Sequence, residues 1–216
     1  MKKVVLIGDS TRMGYDKFIK ESLAGVAEVY YAPENARFST NTLRFAHDWK
    51  AKGEWPDDID LVLWNVGLWD MLEMFGEEPL VPVEHYKYNI PRIDKRLRTL
   101  FPMAKIVFVT SVSVLEERYK PTARFRRRNS VIEEYNREAL DALKDTDTKI
   151  FDLYTLTKDA PASYRTDEVH FYTDEGRAFV GGLVLDFITA ELGISAEDIR
   201  AAAGERENYS ADNVGF

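Results

Sequence analysis

A serine near the start of the chain and an aspartate–histidine pair near its end could together transfer an acyl group. Ser10 closes a Gly-Asp-Ser triplet that directly follows a short apolar run. Far along the chain, Asp167 stands three residues before His170, which is one of only three histidines. Acyl transfer needs a hydroxyl nucleophile, a neutral imidazole to take its proton, and a carboxylate to orient that imidazole. These residues are the candidate catalytic set, with Glu168 as the alternative partner of the histidine.

The segments that must hold these residues alternate between strand and helix. Short apolar runs rich in β-branched residues predict five strands, at residues 4–7, 27–32, 59–65, 106–110 and 149–153. Amphipathic stretches predict helices at residues 15–23, 39–52, 83–100, 129–143 and 174–192, and a short further helix after Ser195. This alternation predicts an α/β protein whose mostly parallel five-stranded sheet lies between two layers of helices. Ser10 would then follow the carboxyl end of the first strand, where open α/β sheets bind ligands.

Length and composition narrow the class of protein. The 216 residues, 45% of them hydrophobic, predict one domain at residues 1–203, followed by a polar tail at 204–216. We expect this tail to be a loose arm or a contact within a homo-oligomer. A net charge of −8 argues against a nucleic-acid-binding surface. The absence of cysteine excludes disulfides and thiolate nucleophiles.

Neither a membrane span nor a leader is expected from the sequence. No stretch reaches the roughly 20 apolar residues that a membrane helix needs. The apolar run at residues 4–7 is too short for the core of a signal peptide and lacks a small-residue cleavage site. A cytoplasmic protein is therefore expected. Acyl transfer by a serine, a histidine and a carboxylate requires no metal or organic cofactor, so none is expected.

Several well-known site motifs are missing. The nucleophile elbow Gly-x-Ser-x-Gly is absent because Arg12 stands where its second glycine would be. No phosphate-binding P-loop occurs, and the dinucleotide fingerprint Gly-x-Gly-x-x-Gly does not follow the first strand. A flavodoxin-like nucleotide or flavin binder remains as a minor alternative.

Groups that could stabilise a developing oxyanion follow the second and third predicted strands. Asn65 at the end of the third strand is either a turn residue or an amide donor aimed at the oxyanion. In the loop after the second strand, the backbone N–H of Ala36 or Arg37 could be a further donor. The sequence thus predicts an oxyanion hole beside Ser10.

The ordered set of Gly8-Asp9-Ser10, Asn65 and Asp167-x-x-His170 resembles the SGNH/GDSL hydrolase family over nearly the whole chain. The resemblance implies a three-layer α/β/α fold of flavodoxin-like type and a serine esterase. It implies Ser10 as nucleophile, His170 as base and Asp167 as its orienter, with the Ser10 N–H and Asn65 in the oxyanion hole.

Two blocks depart from the family pattern. The second block lacks its usual glycine and reads Asn35-Ala36-Arg37, which leaves Ala36 or Arg37 as donor and Asn35 as a brace of the loop. The third block reads Asn65-Val66-Gly67, with Asp70 later, in place of Gly-x-Asn-Asp.

Aromatic and polar side chains are expected to border the mouth of the site. The predicted substrate-binding residues are Asp9, Asn35, Trp69, Asp70, Tyr119 and Arg124, with Arg37 also at the mouth. Such a rim suits an acetylated sugar better than a long acyl chain, which needs a broad apolar trough. We therefore predict O-deacetylation of a small-molecule or oligosaccharide ester. A lipase or thioesterase of this family, and a non-catalytic small-molecule-binding protein of the same fold, are the alternatives.

A basic loop, residues 116–128, follows the fourth predicted strand and is longer than most connections in compact domains. It leaves the same rim of the sheet as Ser10, so it could act as a lid. Tyr119, Arg124 and Phe125 are the candidates to overhang a polar substrate. The run from Arg126 to Arg128 is either part of this site or a solvated basic face.

Overall fold

A computed structural model describes residues 1–202, so the predicted tail at 204–216 lies outside the described residues. The strands are β1 (Lys2–Ile7), β2 (Ala27–Tyr31), β3 (Leu61–Trp64), β4 (Glu73–Met74), β5 (Lys105–Val109), β6 (Phe125–Arg126) and β7 (Lys149–Phe151). The helices that concern the site are α1 (Ser10–Ser22), α2 (Ser39–Lys52), α3 (Val83–Leu100), α4 (Asn129–Leu143), α5 (Leu153–Thr157) and α6 (Asp174–Leu192). A further short helix, Ala196–Ala202, follows as predicted.

Five strands form one parallel sheet in the order β2-β1-β3-β5-β7. Val4 of β1 pairs with Val29 on one side and with Leu61 on the other. Every residue of β3 is buried, as expected for a strand that is covered on both faces. The prediction of a mostly parallel five-stranded sheet is confirmed. This strand order is the flavodoxin-like one, in which ligands bind at the carboxyl ends of the central strands.

Helices cover both faces of the sheet. α1 packs against α6 in one layer, and α3 packs against α2 and α4 in the other. At the first contact, Gly181 of α6 lies under the ring of Phe18, and an added Cβ would come within 2.5 Å of that ring. The close approach of α1 and α6 fixes the direction in which α1 leaves the sheet.

α6 begins and ends where its capping residues predict. The Thr173 side chain accepts a hydrogen bond from the Gly176 N–H, and Gly193 ends the helix with a φ of 66°. Within residues 1–202, no single helix is long and apolar enough to cross a membrane. By length and composition alone, α6 and the helix Ala196–Ala202 could together reach across a membrane, but they are bent by 106° to each other.

Two helix starts differ from the sequence prediction, and both have the same cause. α1 begins at Ser10, not at residue 15, because the Asp9 carboxylate accepts a hydrogen bond from the Thr11 N–H and caps the helix. The strand predicted at 149–153 ends at Phe151, because Asp152 caps the short α5. In each case an acidic residue one or two positions after a strand starts a helix at once.

The basic loop is held by a small second sheet. β4 and β6 pair antiparallel, with Glu73 opposite Arg126 and Met74 opposite Phe125. The pairing joins the connection after β3 to the connection after β5. Both connections therefore form one cover at the carboxyl edge of the main sheet.

Candidate active site

Ser10 is held at the junction of β1 and α1. It is the first residue of α1, and it is partly exposed although the residue before it is fully buried. The first N–H groups of a helix have no partner within the helix, and the helix dipole makes this end positive. The backbone around Ser10 is thus suited to stabilise a negative charge near the hydroxyl.

The glycine of the Gly-Asp-Ser triplet is required by a close approach. A Cβ on Gly8 would lie 1.8 Å from Asn65 Oδ1 and 2.8 Å from the Cβ of Arg12. No side-chain atom fits into this space. Gly8 therefore allows the end of β3 to lie directly against the loop that carries Ser10.

The structure brings Ser10, His170 and Asp167 together in one line. His170 Nε2 lies 2.9 Å from Ser10 Oγ, and His170 Nδ1 lies 2.7 Å from Asp167 Oδ2. The other carboxylate oxygen accepts hydrogen bonds from the backbone N–H groups of Val169, at 2.7 Å, and His170, at 2.8 Å. Burial raises the pKa of Asp167, but these hydrogen bonds outweigh it and hold the pKa below its ordinary value. An ionised Asp167 accepts from Nδ1–H, which leaves Nε2 free to take the serine proton.

The loop that carries Asp167 and His170 is anchored by residues that the sequence analysis missed. Arg165 is buried, donates to Ser113 Oγ at 2.9 Å and lies 4.0 Å above the ring of Phe171. Burial, with the nearby Arg118, lowers its pKa to about 10. The Tyr172 hydroxyl donates to the Ser10 carbonyl at 2.6 Å and so ties this loop to the start of α1. Neither Arg165 nor Tyr172 belongs to a motif. Their only signal in the sequence is that each lies two positions from the pair of Asp167 and His170.

Asn65 braces the loop of Ser10. Its Nδ2 donates to Asp9 Oδ1 at 2.8 Å, and both side chains are buried. An amide nitrogen carries two hydrogens, so one N–H remains after this bond. The expectation that Asp9 binds substrate is wrong, because its carboxylate is fully buried, caps α1 and holds Asn65.

The loop after β2 does not offer the donors that the sequence predicted. The Ala36 N–H donates to the Gly8 carbonyl at 3.0 Å, and the Arg37 N–H donates to Asn35 Oδ1 at 2.8 Å. Both predicted oxyanion donors are thus already paired, and Asn35 stabilises a tight turn through its Oδ1. Arg37 itself adopts a φ of 54° in this turn. The predicted bracing role of Asn35 is confirmed.

Asp70 also lies elsewhere than at the mouth of the site. It is fully buried and accepts hydrogen bonds from the Ser39 N–H, at 2.9 Å, and from Ser39 Oγ, at 2.6 Å. It thereby fastens the connection after β3 to the first residue of α2. The prediction of a substrate contact is wrong for Asp70. Its neighbour Trp69 is partly exposed, with its ring 5.7 Å from that of Phe38 in an edge-on arrangement.

The buried carboxyl of Asp70 is expected to make stability depend on pH. Burial raises its pKa to about 7, against the smaller opposing effect of the Ser39 hydrogen bonds. A carboxyl whose pKa is higher in the folded state stabilises the fold at low pH and loses this contribution as the pH rises through the folded pKa. We expect this group to lower the free energy of unfolding by up to about 4 kcal/mol between roughly pH 4 and pH 7. Asp70→Asn should remove that decrease.

Urea unfolding of the original protein and of Asp70→Asn at several pH values measures this contribution. The asparagine keeps an acceptor for the Ser39 N–H, so the variant should still fold. The difference between the two proteins isolates Asp70 from the other carboxyls. The same pH dependence in both proteins would contradict the assignment.

The arginines of the basic loop lie in different environments. Arg124, predicted to overhang the substrate, is exposed and lies 5.7 Å above the exposed ring of Phe75, so it is on the outer side of the cover. Arg126 donates to carbonyls of its own loop, and Arg128 pairs with Glu73 at 2.5 Å. Arg127, which sequence could not distinguish from its neighbours, instead turns inward.

Tyr119 and Arg127 together form the inner side of the cover. The Nε of Arg127 donates to the carbonyl of Leu68, three residues after Asn65. The Tyr119 hydroxyl is buried beside this guanidinium. Burial raises the pKa of Tyr119, and the nearby charge of Arg127 opposes this rise. Tyr119 thus lies on the inner side of the cover, and its contact with a substrate stays a prediction.

No metal cluster accompanies these residues. Among residues 1–202, no group of three or more His, Asp or Glu side chains is arranged to hold a metal ion.

Comparison with known proteins supports the same fold. No protein-family model matches the chain. The human protein named isoamyl acetate-hydrolyzing esterase 1 homolog is 26% identical over 108 residues, which cover 46% of this chain and 43% of that protein. The chain thus matches less than half the length of this curated relative.

Solved structures match over most of the chain. The lipase/acylhydrolase from Enterococcus faecalis has a TM-score of 0.67 at 19% identity, covering 88% of this chain and 96% of that one. An acetyl xylan esterase has a TM-score of 0.64 at 18% identity, covering 86% of this chain and 99% of that one. Other structures of similar fold include a GDSL-like lipase from Bacteroides thetaiotaomicron. The protein therefore has the three-layer α/β/α fold of the SGNH/GDSL hydrolases, as its ordered motifs predict.

Proposed function

We propose that this protein is a serine esterase of the SGNH type, with Ser10 as nucleophile, His170 as general base and Asp167 as the residue that orients it. The observation that carries the proposal is the continuous hydrogen-bonded line of 2.9 Å and 2.7 Å through these three side chains. A serine hydroxyl is a weak nucleophile until a neighbouring base removes its proton. The first contact lies within the range that direct proton transfer requires, and the second holds the imidazole in the orientation that this transfer needs.

The reaction proceeds in two acyl transfers. Ser10 Oγ attacks the ester carbonyl while His170 Nε2 takes its proton, and Asp167 stabilises the imidazolium that forms. The tetrahedral intermediate collapses as His170 gives this proton to the leaving alcohol. A water molecule, activated by His170 in the same way, then attacks the acyl-serine and releases the acid.

The negative charge of the intermediate needs donors near Ser10. The Ser10 N–H at the start of α1 and the remaining Nδ2 hydrogen of Asn65 are the candidates. Such a donor typically lowers the barrier by about 3 to 4 kcal/mol. The bond from Asn65 to Asp9 holds the amide against the loop of Ser10, so the two donors keep a fixed spacing.

For the substrate, we propose a short acyl ester, in particular an O-acetyl group on a carbohydrate. Trp69 is partly exposed, and its indole is the kind of aromatic group on which a sugar ring can stack. One similar structure is an acetyl xylan esterase, and the curated relative carries the name of an enzyme that hydrolyses an acetate ester. These observations favour a small acyl group over a long one.

A panel of esters tests this proposal. We expect para-nitrophenyl acetate to be hydrolysed at least about ten-fold faster, in kcat/KM, than the octanoate ester, and acetate to be released from acetylated xylo-oligosaccharides. One methylene more or less in the acyl chain changes its binding to an apolar pocket by about 1 to 3 kcal/mol. The preference between acetate and octanoate esters is therefore measurable. Rates that rise toward octanoate would instead favour a lipase or thioesterase. No hydrolysis above that of Ser10→Ala with any ester would overturn the proposed function and favour a binding protein.

A further inference from the structure

Arg127 occupies an unusual position for a residue in an arginine-rich surface loop. Its Nε donates to the Leu68 carbonyl, and the residue is largely shielded from solvent. The charges of Asp9 and Asp167 both act on it. Leu68 lies three residues after Asn65, whose amide bonds Asp9 beside Ser10, so Arg127 is fastened to the same connection that braces the loop of Ser10.

The charge of Arg127 has no direct counterion. Asp9 is engaged with Thr11 and Asn65, and Asp167 is engaged with His170. Within the described part of the chain, no carboxylate forms an ion pair with Arg127, whose Nε bonds the Leu68 carbonyl and whose guanidinium lies beside Tyr119. Burial accordingly lowers the pKa of Arg127, and Tyr119, Asp9 and Asp167 only partly offset this effect. A shielded cation without a partner is costly unless an anion joins it.

The segment around Arg127 is locally positive in an acidic protein. Between residues 118 and 128 the chain carries six cationic side chains and no acidic one, whereas the net charge of the protein is −8. The cationic residues are Arg118, Lys120, Arg124, Arg126, Arg127 and Arg128. Such a cluster raises the local concentration of anions at the edge of the sheet that carries Ser10.

We propose that Arg127, with the neighbouring Tyr119, binds a carboxylate on the ester substrate and thereby selects anionic esters. The planar guanidinium presents parallel N–H donors that match the two oxygens of a carboxylate. Tyr119, buried beside it, adds a hydroxyl donor. This inference rests on the proposed esterase function and specifies its substrate.

Matched pairs of esters test this selection. One pair is para-acetoxybenzoate and its methyl ester, which differ in a carboxylate on the alcohol part. The other is the mono-para-nitrophenyl ester of glutarate and para-nitrophenyl valerate, which differ in a carboxylate on the acyl part. We expect Arg127→Gln to lower kcat/KM about 10- to 100-fold for the anionic ester of at least one pair, and less than three-fold for its neutral partner. Arg137→Gln on α4 removes an equal charge from an exposed side chain and should change neither.

Wild-type measurements keep the test decisive if Arg127→Gln does not fold. The wild type should then prefer an anionic ester over its neutral partner, and added salt should reduce this preference. Equal losses for anionic and neutral esters in Arg127→Gln, or a wild-type preference for the neutral ester in both pairs, would overturn the inference. Failure of the esterase function would look different, since Ser10→Ala would then hydrolyse every ester at the wild-type rate.

Discussion

Ser10→Ala is expected to lower kcat for para-nitrophenyl acetate by at least roughly 10⁴-fold. The alanine removes the proposed nucleophile, and among the described residues Ser10 Oγ is the hydroxyl that His170 Nε2 contacts. What activity remains would come from donors that still bind the ester and polarise its carbonyl. Steady-state kinetics and labelling by a fluorophosphonate probe both measure the loss.

The fold should survive this substitution. Ser10 is partly exposed, and its side chain bonds only to His170 among the described residues. We expect the midpoint of thermal unfolding to shift by no more than about 2 °C, because surface changes of this size rarely exceed 0.5 kcal/mol. Thr11→Ala removes a hydroxyl one position away and is the matched control, which should keep wild-type kinetics and labelling. Wild-type turnover in Ser10→Ala would exclude Ser10 as nucleophile.

Arg12→Met is expected to lower the free energy of unfolding by about 3 to 5 kcal/mol. Arg12 is buried in α1, where it pairs with Asp16 at 2.5 Å. It also donates to the carbonyls of Glu34, at 2.6 Å, and Gly8, at 3.3 Å. Its loss leaves the Asp16 charge buried without a partner and releases both loops beside Ser10. Urea unfolding measures the change.

An exposed arginine–aspartate pair in α2 provides the control for the buried pair of Arg12 and Asp16. Arg44 and Asp48 in α2 have the same i, i+4 spacing, but the side chain of Arg44 is 61% exposed. Arg44→Met should cost less than about 1 kcal/mol, because water already solvates both charges. Arg12→Met with Asp16→Asn should regain more than about 1 kcal/mol over Arg12→Met alone. If this double variant were no more stable than Arg12→Met, the unpaired charge of Asp16 would not be the cause.

The sheet and the hydrogen-bonded series from Ser10 through His170 to Asp167 were predictable because they depend on simple sequence patterns. Apolar runs such as residues 4–7 leave little choice but a buried strand. Parallel strands end at one edge, so a serine after the first strand and a histidine after the last can meet even though 160 positions separate them. For Ser10 and His170, residue type and place in the strand order were sufficient.

Residues whose environment depends on tertiary contacts were not predictable in this way. Asp9 and Asp70 were interpreted as substrate contacts, since acidic residues in loops are usually exposed. Each is instead buried, because it accepts hydrogen bonds from a helix start. Arg127 directly follows β6, whose pairing with β4 places the loop, and that pairing of two-residue strands has no sequence signal. The sequence likewise does not show that the Ala36 N–H donates to the Gly8 carbonyl, which makes it unavailable to an oxyanion.

The contact between Ser10 and His170 also orders the events of folding. The contact joins residues 160 positions apart, on segments that follow different strands of the sheet. Closing so long a loop is entropically costly unless the contacts between them already hold the chain compact. Recovery of esterase activity during refolding would therefore mark the last step of assembly and not the first collapse of the core. The reactive serine is in this way kept without its base until the rest of the molecule is in place.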